Sequence, residues 1–137
     1  MFKKSSLFVL LALLMVASTI LAACGPAATA TEEAGGSELA VGIVLPTKDE
    51  PRWIQDETRF KDALTAAGYD VEILFSQGDS AKEKANVEAL ITKGVKVIII
   101  CPQDGNAAAA AVEEARKAGV KVISYDRLIT GTDSVDY

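Results

Sequence analysis

Three joints in the chain constrain its fold more than any other feature. Ala67-Gly-Tyr-Asp-Val71, Lys93-Gly-Val-Lys-Val97 and Ala118-Gly-Val-Lys-Val122 each set a glycine between a helical pattern and an apolar run, and Gly68, Gly94 and Gly119 stand 26 and 25 residues apart. A glycine just past the last helical residue ends a helix in the left-handed conformation. A strand that begins at once must then return to the sheet its predecessor left, and successive right-handed βαβ units have that rhythm.

The segments between the joints fit the pattern. Leu39 to Leu45, bounded by Pro46, reads as a buried strand. Phe60, Ala63, Leu64 and Ala67 follow at helical spacing, Val71 to Phe75 is a second strand, and Ser80 with Glu83 has the spacing of a capping box. Val87, Leu90 and Ile91 mark one face of a second helix, and Val95 to Cys101 is a third strand. Asn106 is the expected cap of a third helix with the face Ala108, Ala111, Val112 and Ala115, and Val120 to Tyr125 is the fourth strand. Continuous Val/Ile strands require helices over both faces of the sheet. The fold class is α/β: an open, doubly wound parallel sheet with flanking helices over residues 39–137.

The start of the chain is of another kind. Lys3 and Lys4 precede the almost wholly apolar Leu7 to Leu21. As a helix that stretch rises about 22 Å, short of a hydrocarbon core of ~30 Å, so it reads as a secretory signal and not a span. Leu21-Ala-Ala-Cys24 resembles the lipobox of bacterial lipoproteins, which implies a signal peptide over 1–23 and a lipidated Cys24. Loss of Lys3 and Lys4 leaves 12 basic against 19 acidic residues, a net charge of −7. Residues 24–38 then form a tether of small and polar residues that cannot bury enough apolar surface to order itself. The expected location is the cell envelope, on the outer face of the cytoplasmic membrane or in the periplasm, with Cys24 as the membrane anchor.

Composition excludes several chemistries. The 137 residues contain no histidine and two cysteines, which removes His-based triads, His-ligated zinc and a disulfide framework. A net charge of −5 argues against a nucleic-acid partner. No loop carries a dinucleotide, Walker or EF-hand pattern, so neither a cofactor nor a metal is expected. Cys101 reads as a small buried hydrophobe.

In doubly wound sheets ligands sit outside the carboxyl ends of the strands, at the switch in strand order. The loops after strands one, three and four are therefore the ones to inspect, whereas Ser76 to Asp79 is expected to face solvent off the switch. The first loop offers Lys48 and Arg52 as donors to ligand oxygens. Trp53 is either a flat surface for the C–H face of a sugar or the start of helix one, packed in the core. Asp126 and Arg127 end the fourth strand, where a carboxylate accepts from two hydroxyls and a guanidinium donates in a fixed fork. Adjacent in sequence, they can hold each other's geometry, or form an exposed ion pair of little consequence. Gln103 and Asp104 lie in a Pro-Gln-Asp-Gly turn and are weaker candidates.

Taken together, the lipobox, the tether and the segments V-G-I-V-L-P-T-K…R-W-I-Q-D, V-I-I-I-C-P-Q-D-G and V-I-S-Y-D-R-L-I resemble the substrate-binding proteins of bacterial sugar ABC transporters, among them the xylose-binding and multiple-sugar-binding proteins. The resemblance implies a type I periplasmic-binding-protein fold and a sugar site lined by Arg52, Trp53, Asp126 and Arg127, with Lys48 and Gln103 less securely. It implies a monosaccharide ligand, xylose or a similar pentose or hexose, delivered by hinge closure to an ABC transporter permease, and a monomeric protein with no enzymatic activity. Presentation of the sugar to a sensor kinase or chemoreceptor is an alternative use. An exported hydrolase using Asp104 and Asp126 is another, disfavoured by the neighbouring Arg127. Such proteins have two lobes, so residues 39–137 are expected to be an incomplete first lobe of a protein with roughly 150–200 further residues.

Overall fold

The computed structural model describes residues 40–137. The signal peptide, the lipidated Cys24 and the tether expected above lie outside the described residues. The central strand β1 (Ala40–Leu45) leads into α1 (Pro51–Ala66), then β2 (Asp70–Phe75), α2 (Ser80–Thr92), β3 (Val97–Ile100), α3 (Ala108–Lys117) and β4 (Lys121–Ser124). All pairings are parallel and the sheet order is β2-β1-β3-β4. The register runs Val41↔Val71, Val41↔Val97 and Val97↔Lys121. The chain leaves β1 toward β2, then crosses back to β3 on the other side, so the switch in strand order lies between β1 and β3.

Strand alternation divides the core into two layers. Val44, Ile98, Ile100 and Val122 face α2 and α3, meeting Val87, Leu90, Ala108, Ala111, Val112 and Ala115. Val41, Ile43, Leu45, Phe75 and Cys101 face α1 and pack with Trp53, Phe60 and Leu64. Fully burying a Val, Leu or Ile side chain stabilises by roughly 1.5–3 kcal/mol, and these layers hold more than a dozen such residues. Gly68, Gly94 and Gly119 have φ of 88°, 82° and 79°, as the repeated joints require.

Four local expectations are corrected. The cap of α2 is Asp79, whose carboxylate accepts from the backbone N–H of Ala81 (2.7 Å) and Lys82 (3.2 Å). Ser80 becomes the first helical residue, and Glu83 turns inward instead of closing a capping box. Ahead of α3, Asp104 and not Asn106 takes the free N–H groups, accepting from Asn106 (2.9 Å) and Ala107 (2.8 Å). Asn106 Oδ1 instead accepts from the Thr130 hydroxyl at 2.6 Å. On α1 the inward stripe is Trp53, Asp56, Phe60 and Leu64, which turns Ala63 and Ala67 out to solvent. The loop after β2 exposes Gln77, Gly78 and Asp79 as expected, but not its first residue. Ser76 is fully buried and its N–H donates to Leu45 O (2.9 Å), while Gly78 N–H donates to Pro46 O (3.2 Å).

The last described residues run back along the free edge of β4. Asp136 N–H donates to Val122 O (2.8 Å) and Ser124 N–H to Tyr137 O (2.7 Å). The Asp136 carboxylate accepts from Val122 N–H, Lys121 Nζ and Arg116 Nη1 at 3.0, 2.9 and 2.7 Å. Among the described residues no helix is long and apolar enough to cross a membrane.

Candidate functional site

The loops after β1, β3 and β4 meet at the carboxyl ends of the strands. Each is shaped by its own sequence. Pro51 occupies the first helical position of α1, where its missing N–H costs nothing and its fixed φ suits the helix. Arg52 and Trp53 follow in the first turn. Trp53 is 1% exposed and packs in the α1 layer, the second of the two placements the sequence left open. It is also the cushion of two cations, with the guanidinium carbons of Arg52 and Arg127 lying 4.6 and 5.5 Å from the ring centroid.

At the end of β4 the backbone makes a tight turn. Arg127 N–H donates to Tyr125 O at 2.7 Å, across Asp126 at φ 64°. Three-residue turns of this hand are rare, and Asp is among the few non-glycine residues that accept positive φ. Strain of this kind costs about 1–3 kcal/mol and persists where surrounding contacts hold it. The turn sends two adjacent side chains apart. Asp126 takes a hydrogen bond and ion pair from Arg52, whereas Arg127 Nη1 donates to Pro102 O at 3.1 Å. Asp126 and Arg127 therefore do not hold each other; each is held by a different loop.

Arg52 has a second carboxylate near it, Asp56 one helical turn on, with Nε–Oδ2 at 3.6 Å. Its affinity for the proton is raised above the usual guanidinium range, first by the hydrogen bond to Asp126. Asp56, 6% exposed, accepts from the Tyr125 hydroxyl at 3.1 Å and meets Arg59 Nη1 at 3.5 Å. Burial, above all, pushes the Tyr125 phenol up. Tyr125 in turn packs edge-on against Phe60, with centroids 5.1 Å apart.

The loop after β3 supplies Gln103, whose backbone N–H donates to Glu83 Oε2 at 2.8 Å and whose side-chain Nε2 is buried without a protein partner. Gly105 lets this loop meet the loop after β4: a Cβ there would lie 2.4 Å from Leu128 O, and Thr130 N–H donates to Gly105 O at 3.0 Å. Cys101 is fully buried, and burial pushes its thiol up to about 11.

Of the six residues singled out in the sequence, Arg52, Trp53, Asp126 and Arg127 form one connected group, and Gln103 joins it through the peptide that Arg127 grips. Lys48 stands apart. Its ammonium lies 3.4 Å from Glu57 and 4.5 Å above the Phe75 ring, near the end of β2. Asp56 and Glu83 escaped sequence reasoning. Asp56 was legible as an acid on the apolar stripe of α1, four residues after Arg52 and three before Arg59; Glu83 was masked by its match to a capping box.

The group presents forked donors and a carboxylate acceptor above an aromatic ring, chemistry suited to a ligand rich in hydroxyls. Among the described residues no three His, Cys, Asp or Glu side chains are placed to hold a metal ion. Among the described residues, open hollows lie beside this group and at the opposite end of the sheet. One of about 270 Å³ is lined by Asp56, Arg59, Phe60 and Tyr125 on the flank of α1. The other, about 410 Å³, lies at the amino ends of β1 and β2, away from the converging loops.

The fold and the sequence have known relatives. Residues 41–137 match the model of the periplasmic binding protein domain. The chain is 37% identical over 123 residues to the multiple sugar-binding periplasmic receptor ChvE of Rhizobium radiobacter, an alignment covering 90% of this chain and 35% of the receptor. A carbohydrate transporter solute binding protein from Chloroflexus aurantiacus, solved in complex with D-glucose, is 81% identical with a TM-score of 0.67, covering 71% of this chain and 28% of that one. The Caulobacter myo-inositol binding protein, solved with myo-inositol, is 30% identical with a TM-score of 0.69, covering 73% and 34%. The chain thus spans about a third of the length of the relatives it matches. With its parallel β2-β1-β3-β4 sheet, its two-faced helical cover and this match over nearly all the described residues, the chain belongs to the periplasmic binding protein domain family.

Proposed function

We propose that this chain is part of a lipid-anchored extracytoplasmic receptor that captures a monosaccharide and delivers it to an ABC transporter permease. The observation that carries the reading is the Arg52–Asp126 pair seated beside Arg127 over Trp53, at the carboxyl ends of the strands. Asp126 accepts from vicinal hydroxyls with the oxygen Arg52 leaves free, and the two guanidiniums donate to ring and hydroxyl oxygens. The ligand is an aldose of pentose or hexose size. The D-glucose in the Chloroflexus aurantiacus relative favours glucose within that class, and the D-xylose-binding periplasmic proteins of Haemophilus influenzae and Escherichia coli, 28% and 29% identical, keep xylose beside it.

Half the grip belongs to a second lobe that closes over the sugar by a hinge, and the closed form is what the permease reads. Cys24 carries the lipid and residues 24–38 are the tether. The sugar leaves unchanged. Asp104 Oδ1 accepts from two backbone N–H groups at the start of α3 and Asp126 Oδ1 pairs with Arg52, so each carboxylate already has a structural or binding role.

Isothermal titration of the full-length protein with D-glucose, D-xylose, D-ribose and myo-inositol tests the reading. Saturable one-to-one binding of an aldose is expected. A folded protein that gives no binding heat with any of the four overturns it.

A further inference from the structure

The peptide bond between Pro102 and Gln103 is held at both ends by charge. Its N–H donates to Glu83 Oε2 at 2.8 Å, and its carbonyl accepts from Arg127 Nη1 at 3.1 Å. The two contacts belong to one planar unit, in which the N–H and C=O of a trans peptide point in opposite directions. The dipole of that single peptide is thus aligned from a carboxylate to a guanidinium. Flipping or tilting it breaks both bonds at once.

Glu83 is an unusual residue to find where it is. It lies in the first turn of α2 at 1% exposure, and its Oε1 has no protein partner. Burying a carboxylate is costly unless it is paired. Burial pushes the Glu83 carboxyl above its ordinary value, and three features offset part of that cost: the amino end of α2, whose dipole favours an anion; the Gln103 N–H; and the positive charge of Arg127 beyond the peptide. Asp104 on the same loop acts in the opposite sense. A leucine or methionine would fill this place in the core without such compensation. The buried acid is accounted for by what its charge does to the loop.

We propose that Glu83 is a positioning residue for the sugar site, fixing the Pro102–Gln103 peptide so that its carbonyl holds the Arg127 guanidinium over Trp53. Three elements are brought to one register by this relay: α2 through Glu83, the loop after β3 through the peptide, and the loop after β4 through Arg127. Hydrogen bonds in series within a low-dielectric interior polarise one another. The relay orients Arg127 before sugar arrives, which lowers the ordering cost of binding. Glu83 itself touches no ligand.

The inference rests on the sugar-site reading, and the test separates the two. Glu83→Leu, Glu83→Gln and Arg127→Ala are made in the full-length protein. Sugar affinity is measured by calorimetry, and the Gln103 amide is followed by ¹H–¹⁵N NMR and hydrogen exchange. Glu83→Leu is expected to lose affinity roughly tenfold or more, as removal of a charge-assisted bond does, with faster Gln103 exchange and unchanged circular dichroism. Glu83→Gln keeps an acceptor and restores most of the affinity, with an upfield-shifted Gln103 amide. Should Glu83→Leu fail to fold, Glu83→Gln decides alone, through an altered or unaltered Gln103 amide. Wild-type affinity and a protected Gln103 amide in the Glu83 variants overturn the positioning role. Unchanged affinity in Arg127→Ala overturns the sugar site instead, and the Gln103 amide still decides whether Glu83 holds the peptide.

Discussion

Arg52, in the first turn of α1, donates to the carboxylate of Asp126, 74 residues further along the chain. The two residues leave the sheet from β1 and β4, which flank β3 in the order β2-β1-β3-β4. Strand ends two places apart are separated by about 10 Å, and the length of an arginine side chain closes that gap. The contact ties the first and last loops of the site to each other without passing through the core.

Arg52→Lys is expected to weaken sugar binding about tenfold or more while leaving thermal stability nearly unchanged. A lysine ammonium lacks the fork that reaches Asp126 while lying flat on Trp53. Arg52 is solvent-exposed, and exposed pairs contribute little to stability. Calorimetry and a thermal melt of the same sample check both halves; a large drop in melting temperature with intact affinity contradicts the assignment.

Gly105→Ala tests the junction of the loops after β3 and β4. The added Cβ would sit 2.4 Å from the Leu128 carbonyl oxygen, a backbone atom that cannot swing aside. Overpacking of this kind costs about 1–3 kcal/mol. Urea denaturation should show that loss, and sugar affinity should fall with it because Asp126 and Arg127 ride on the displaced loop.

Asp136 links stability to pH. Its carboxyl is held at about 2, below its ordinary value of 3.8, first by the Val122 N–H and then by Lys121. A depressed acid contributes stability that is complete above the ordinary value and is lost as pH falls through the folded value. The difference in melting temperature between wild type and Asp136→Asn is therefore largest near neutrality and shrinks between pH 4 and 2. A difference independent of pH counts against the role.

Cys101 is buried against the α1 layer with its thiol pushed up to about 11, so almost no thiolate exists at pH 7.5. Iodoacetamide should leave Cys101 unmodified in the folded protein and alkylate it fully in guanidinium, as read by peptide mass spectrometry. Rapid labelling in the folded state would contradict its burial.

The fold was legible because its signals are local and repeated. Gly68, Gly94 and Gly119 end helices by conformation alone, and the faces Ala108, Ala111, Val112, Ala115 and Val87, Leu90 follow from spacing. Caps were less legible. Asp79 and Ser80 stand side by side, as do Asp104 and Asn106 within one turn, and which of them caps depends on where the loop enters. Arg52, Trp53, Asp126 and Arg127 could be placed near one another from the strand order alone. Their pairing could not, because it depends on the positive φ of Asp126, which separates it from Arg127 and sends it to Arg52. Glu83 was hidden for a similar reason: its partner is a backbone N–H twenty residues away, and backbone groups leave no mark in a sequence.

The most direct test of the central claim is the affinity of the full-length protein for D-glucose and D-xylose before and after Arg127→Ala. Arg127 is exposed, sits over Trp53 and donates from its guanidinium to Pro102 O. Its removal should leave the fold intact, as read by circular dichroism. Loss of roughly a hundredfold or more in affinity is the predicted result. Wild-type affinity for sugar in the folded Arg127→Ala variant would contradict the account.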